Sequence, residues 1–184
     1  MQKEIILVTG NARKAEEVRA IAGVEIVTRD LEIPEIQAVD VEVVAREKAL
    51  TAFRLTGQPV LVDDTGLNIV ALGNLPGALV TWFLQALGPA GIVNLLREEK
   101  NRQASVSTCI AYADQKGVHI FTGTIHGQIA ESLRGENGFG YDAFFVPEGS
   151  AKTYAEMTSA EKNAISMRRI ALLKFKDFME KREK

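Results

Sequence analysis

Ile5-Ile6-Leu7-Val8-Thr9-Gly10-Asn11-Ala12-Arg13-Lys14 changes character at its midpoint. Its four consecutive apolar residues mark a strand buried on both faces, as in a parallel sheet. The chain then turns at Thr9-Gly10-Asn11. Beyond the turn, Ala15, Val18, Ile21 and Ala22 recur at helical spacing, and Gly23 ends the pattern. Asn11 is placed to cap that helix, because its side-chain oxygen can accept an orphan backbone N–H. A buried strand, a tight turn and a helix in that order open an α/β sheet.

The rest of the chain continues this alternation. A second strand is expected at Val24–Val27, followed by a loop from Leu31 to Asp40 that contains Pro34. Val41 to Leu55 has a helical apolar face. Val60-Leu61-Val62 is another buried strand, ending in Asp63-Asp64-Thr65-Gly66. Two helices, about Leu79–Leu87 and Ala90–Glu98, are separated by Gly88-Pro89. Ser105–Tyr112 and Val118–Thr124 read as a hairpin, with Ile125–Glu131 extending its second strand past a bend at Gly127. Arg134 to Asp142 is a glycine-rich loop, and Phe144-Phe145-Val146 is a short strand closed by Pro147. Thr158 to Lys181 is helical, and Thr158 with Glu161 forms a capping box. Early βα alternation and a late hairpin predict a mixed α/β sheet with flanking helices.

The chain has 184 residues, 46% hydrophobic and 25% charged, so it can bury a large core and is neither disordered nor low-complexity. No linker or repeat divides it, and residues 1–184 are expected to form one domain. Lys and Arg number 22 against 24 Asp and Glu, a net charge of −2. That balance gives no bulk field for a polyanion, and no nucleic-acid partner is expected. Met1-Gln2-Lys3-Glu4 shows no leader-like pattern. The uncharged stretch from Thr65 to Leu96 is cut by Gly73-Asn74-Leu75-Pro76-Gly77 into pieces too short to span a membrane. It reads as buried core, with no membrane partner. Cys109 has no second cysteine to pair with, and a reducing cytoplasm fits it. His119, His126 and Cys109, all in the hairpin, read as structural.

Four stretches have the residue types of a site. The turn Thr9-Gly10-Asn11-Ala12-Arg13-Lys14 offers a helix N-terminus and a lysine to an anion such as phosphate. The plainer reading is an ordinary capped βα turn. Asp63-Asp64 follows a buried strand, where ligands gather in open α/β sheets. Oxygen ligands without His or Cys point to Mg²⁺ rather than zinc; alternatively one Asp caps a turn and the other is solvated. Gly138-Phe139-Gly140-Tyr141-Asp142 would let backbone and ring approach a flat ligand, or pack as a plain hairpin loop. Glu161 to Arg169 reads as a charged helix face. On an unbroken helix Lys162 and Arg168 lie about 240° apart at ~100° per residue. To serve one site they need a break near Asn163, with Ser166 capping a second helix.

Taken together and in order, these pieces resemble the inosine triphosphate pyrophosphatase family, which hydrolyses deaminated purine nucleoside triphosphates. The likeness covers nearly the whole chain. It rests on Thr9–Lys14, Pro34-Glu35, Val62–Leu67, Leu75-Pro76-Gly77, Gly138–Asp142 and Thr153-Tyr154-Ala155-Glu156-Met157 through Glu161-Lys162-Asn163-Ala164. The resemblance implies an elongated mixed sheet with two lobes around a nucleotide cleft, usually in a homodimer. It implies hydrolysis of ITP, dITP and XTP to a monophosphate and pyrophosphate, with Mg²⁺ as cofactor. Thr9, Gly10, Asn11, Lys14 and Lys48 would hold the triphosphate. Glu35 and Asp64 would bind the metal, and Asp64 would activate water; Lys14 joins these two as a catalytic candidate. Thr65 would touch the substrate, Phe139, Gly140 and Tyr141 would flank the base, and Asp142 would line the pocket. Lys162, Met167 and Arg168 would complete the base and phosphate contacts. One departure stands out: the family usually reads Ser-His-Arg where this chain has Ser166-Met167-Arg168. A thioether is a weak acceptor and cannot replace an imidazole hydrogen bond. The same chemistry with altered base choice, or a nucleotide sensor without turnover, are the alternatives.

Overall fold

The structure, a computed structural model, describes residues 5–22 and 25–182. The helix stop expected at Gly23, the strand start at Val24 and the Met1–Glu4 segment lie outside them. Seven strands form one mixed sheet: β1 (Ile5–Val8), β2 (Ile26–Arg29), β3 (Val60–Ile69), β4 (Leu75–Gly77), β5 (Gln103–Asp114), β6 (Gly117–Ile129) and β7 (Phe145–Pro147). The order is β2-β1-β3-β5-β6-β7, with β4 beside β3. β1 runs parallel to β2 and β3, and the remaining pairs are antiparallel. This is the mixed α/β sheet expected from the sequence.

Among the described residues five α-helices flank it: α1 (Ala12–Ala22), α2 (Val41–Thr56), α3 (Val80–Leu95), α4 (Ser159–Ile165) and α5 (Met167–Arg182). Strand alternation decides what each covers. Ile5, Leu7, Leu61, Ile110 and Tyr112 pack with α1 and α5 on one face. Ile6, Val8, Val60, Val62, Cys109 and Ala111 pack with α2 on the other. The chain therefore leaves β1 through α1 on one face and reaches β3 through α2 on the opposite face. That reversal makes the β1/β3 boundary a topological switch point, where open α/β sheets take ligands. A third cluster, including Leu67, Ile69, Ile92, Phe144 and Tyr154, fills the far end of the sheet against α3.

Four expectations need correction. β3 does not end at Asp63; it continues to Ile69, because β5 pairs with it along its full length. The terminal helix is two helices, since Ser166 adopts an extended ψ of 152° and its hydroxyl accepts from the Arg169 N–H. The break sits at Ser166, three residues after Asn163, and Ser166 does cap α5. Leu75–Gly77, read as a break, adds a short strand to the β3 edge. The uncharged stretch is only partly core: Ile92, Val93 and Leu96 are buried, but Trp82 is 57% exposed and its indole N–H donates to Gln37. The Gly88-Pro89 separation appears as expected, with Gly88 at φ 67° interrupting α3. Among the described residues no helix is long and apolar enough to cross a membrane.

Candidate active site

β1 pairs with β3 only over Val60–Val62, and β4 pairs with the same edge only over Leu67–Ile69. Between them, Asp63 to Gly66 present a free strand edge to a gap in the sheet. Two carboxylates enter the gap from adjacent positions, and the pleat turns them to opposite faces. Asp63 points toward α1 and α5. Arg168 donates to it in a fork, Nε to Oδ2 at 2.7 Å and Nη2 to Oδ1 at 3.2 Å. Lys14 Nζ lies 3.0 Å from Oδ1. Burial alone would raise the Asp63 pKa, but these two cations hold the carboxyl well below its usual range.

Asp64 turns toward α2 and has no such fork. Its Oδ2 is buried with no hydrogen-bond partner among the described residues. Burial is the largest cause that pushes its pKa up to about 6; Lys14 and Lys48 pull it down, while Glu35 and Asp63 add to the rise. A carboxylate poised near neutral pH with one open oxygen suits proton abstraction from water.

A chain of alternating charges runs from this point toward the glycine loop. Behind Asp63, Arg168 Nη1 donates to Glu17, and Glu17 accepts from Lys162 Nζ at 3.1 Å. Lys162 also donates to Asp142 at 2.7 Å, and its ammonium sits 4.8 Å from the centre of the Phe139 ring. Asp142 accepts the Phe139 backbone N–H at 2.8 Å, which folds the loop over its own carboxylate. The break at Ser166 brings Lys162 and Arg168 to one side. Gly138 serves the loop rather than a flat ligand: its φ is +78°, and a Cβ there would lie 2.1 Å from Asp142 Oδ2.

Eleven of the expected residues surround one cavity of about 110 Å³: Asn11, Lys14, Asp64, Thr65, Phe139, Gly140, Tyr141, Asp142, Lys162, Met167 and Arg168. That volume is far below what a whole nucleotide fills. Thr9, Gly10, Glu35 and Lys48 do not line it. Asn11 caps α1 as expected, accepting the Lys14 N–H at 3.1 Å, and Thr9 accepts the Asn11 N–H at 3.1 Å. The Asn11 amide hydrogens and the Thr9 hydroxyl hydrogen remain as donors. Glu35 accepts from Lys48 at 2.6 Å on the α2 side. Tyr141 and Met167 are 6% and 2% exposed, so they form walls packed into the core rather than free faces.

Four site residues were not foreseen. Glu17 stands one helical turn after Lys14 on α1, and that i, i+3 spacing was the available signal. Val80, Thr81 and Leu84 of α3 wall the same cavity. The apolar pattern of α3 does not distinguish pocket wall from core. Among the described residues no cluster of three or more His, Cys, Asp or Glu could hold a metal. Glu35 and Asp64 alone, hard oxygen donors with one orphaned oxygen, fit Mg²⁺, which binds by one or two carboxylates and takes further oxygens from phosphate and water.

A model of the Ham1 family matches residues 5–178. The dITP/XTP pyrophosphatase of Hyperthermus butylicus is 41% identical over 172 residues, covering 91% of this chain and 90% of the relative. Inosine triphosphate pyrophosphatase 2 of Trypanosoma cruzi is 43% identical over 177 residues, covering 94% and 90%. The solved structure of a HAM1 protein from Coxiella burnetii superposes with a TM-score of 0.85 at 31% identity, covering 98% of this chain and all of that one.

Proposed function

The chain belongs to the Ham1 family, and from that premise we propose that it is a nucleoside triphosphate pyrophosphatase acting on ITP, dITP and XTP. The names of its relatives support the reaction and the substrates. The observation that carries the reading is the meeting of Lys14, Lys162 and Arg168 with Asp64 around one cavity.

In this reading the base enters the cavity over Phe139, beside Tyr141 and Met167. Arg168 has five N–H groups, and three already donate to Asp63 and Glu17. The remaining two meet a 6-oxo group, which accepts, and disfavour a 6-amino group, which also donates. The triphosphate runs out over the α1 N-terminus, where Asn11, Thr9 and the backbone N–H groups donate and Lys14 and Lys48 offset charge. Glu35 and Asp64 would hold Mg²⁺, which when bound offsets phosphate charge and lowers the pKa of a bound water. Asp64 takes the proton of the attacking water. The water oxygen joins the α-phosphorus, and the α–β bridging oxygen leaves with pyrophosphate.

The reading extends to a homodimer in the cytoplasm. The lone buried Cys109 supports the reducing compartment, and light scattering tests for twice the chain mass of 20.1 kDa. Pyrophosphate release from ITP with and without Mg²⁺ tests the chemistry. Release that depends on Mg²⁺ and is lost in Asp64→Asn is expected; release that survives Asp64→Asn contradicts the assignment.

A further inference from the structure

Asp63 is fully buried, does not line the cavity, and takes no part in the chemistry above. Yet among the described residues it is the one carboxylate that touches both a cation at the phosphate turn and a cation at the base end. Lys14 Nζ lies 3.0 Å from Oδ1, and the Arg168 fork closes on both oxygens at 2.7 and 3.2 Å. Resting on the pyrophosphatase reading, we infer that Asp63 is a positioning residue that ties the two ends of the substrate site together. It sets which Arg168 N–H groups face the base, and it shares the charge of Lys14 until phosphate arrives.

The geometry supports both halves. A guanidinium is planar, and a carboxylate that engages Nε and Nη2 together fixes the plane and its rotation. Glu17 then takes one Nη1 hydrogen, which leaves one N–H on Nη1 and one on Nη2 of a residue that lines the cavity. Lys14 lines the same cavity from the other end, and its distance to Asp63 leaves its ammonium partly neutralised. A phosphate competes with Asp63 for Lys14. When Lys14 turns to phosphate, Asp63 keeps only Arg168, and the fork tightens. Base and phosphate are then sensed through one carboxylate.

Calorimetry on the full chain tests this without turnover, using inosine monophosphate, adenosine monophosphate and pyrophosphate as probes. Pyrophosphate has no base and reads the Lys14 end alone; the ratio of the two monophosphates reads Arg168. Asp63→Asn is expected to bind pyrophosphate at least threefold more tightly, because Lys14 is released, and to lose at least tenfold of its preference for the inosine over the adenosine ligand. A purely structural residue would weaken all three probes alike or leave all three unchanged. Either result overturns the inference, as does a shift at one end only. Asp63→Asn can fail to fold, because removing one partner leaves buried charge uncompensated. Asp63→Glu keeps the charge and covers that case. It is expected to hold pyrophosphate within twofold of the native chain while losing at least threefold of the base preference, and a native preference overturns the inference. A native chain that binds these probes but releases no pyrophosphate from any nucleotide contradicts the hydrolytic reading and leaves this one standing.

Discussion

Strand alternation sends Asp63 and Asp64 to opposite faces, and their protonation follows from what each face holds. Arg168 and Lys14 hold Asp63 ionised; burial leaves Asp64 near neutrality at about 6. Two carboxylates with separated pKa values are a usual sign of divided roles. The displacement of Asp64 is also a stability statement. Its folded pKa lies above the ordinary 3.8, so the folded state binds the proton more tightly than the unfolded chain. In the metal-free protein this one group therefore withdraws stability as pH rises from about 4 to about 6, by at most about 3 kcal/mol, and no further above that. Asp64→Asn removes the penalty. It is expected to be more stable than the native chain at pH 8 without metal, by equilibrium denaturation, and equal below pH 4. Its kcat is expected to fall by about 10²- to 10⁴-fold, the usual worth of a general base. A less stable variant at pH 8 contradicts the electrostatic account of this residue. Both aspartates were legible as candidates. Their division was not, because the sequence suggested a strand end, and alternation assigns faces only inside a strand.

At the scale of elements, the site depends on two places where regular structure stops. Ser166 separates α4 from α5 and turns Lys162 and Arg168 to one cavity. The stop was legible as a condition, since an unbroken helix puts the two on different faces, and Ser166 was legible as the cap of the second helix; the first helix runs past the break expected near Asn163 because Ala164-Ile165 continues its pattern. The Ser166 hydroxyl accepts from Arg169 at 3.2 Å. Ser166→Ala is expected to cost about 1 kcal/mol, a typical cap, and to lower Tm by roughly 2–4 °C. An unchanged Tm in thermal denaturation contradicts the capping role. The second place is the loop at Gly138. A Cβ there meets Asp142 at 2.1 Å in a backbone region of φ +78°. Gly138→Ala is expected to displace Phe139 and Asp142 together and raise the KM for ITP at least tenfold, with a smaller change in pyrophosphate inhibition. Steady-state kinetics with both ligands checks it; equal changes in both would mean that the loop supports the whole site. The glycine was legible as a loop residue, but the sequence suggested a ligand approaching it, whereas the close neighbour is Asp142 four residues on.

At the scale of the molecule, a net charge of −2 conceals a strongly charged centre. Lys14, Arg168 and Lys162 are balanced by Asp63, Glu17 and Asp142, so these six charges cancel and leave no trace in composition. Strand and helix order, and with them the mixed sheet, were readable because buried parallel strands are continuous apolar runs and helices have their own period. Glu17 and the α3 wall were not readable, because side chains far apart in the chain meet only once β1, α1 and α5 have packed. The proposed function is that this centre favours 6-oxo over 6-amino purine triphosphates and cuts them between the α and β phosphates. Its most direct test is pyrophosphate release from ITP, XTP, dITP, ATP, GTP and dUTP at fixed Mg²⁺, compared by kcat/KM. ITP, dITP and XTP are expected ahead of ATP by about a hundredfold, roughly 2.7 kcal/mol of transition-state discrimination, with Met167 tolerated in the wall and Arg168 reading the oxygen; guanine carries the same 6-oxo group, so Arg168 does not separate GTP from them. A rate on ATP equal to that on ITP would contradict base selection by Arg168, and no release of pyrophosphate from any of them would contradict the proposed function as a whole.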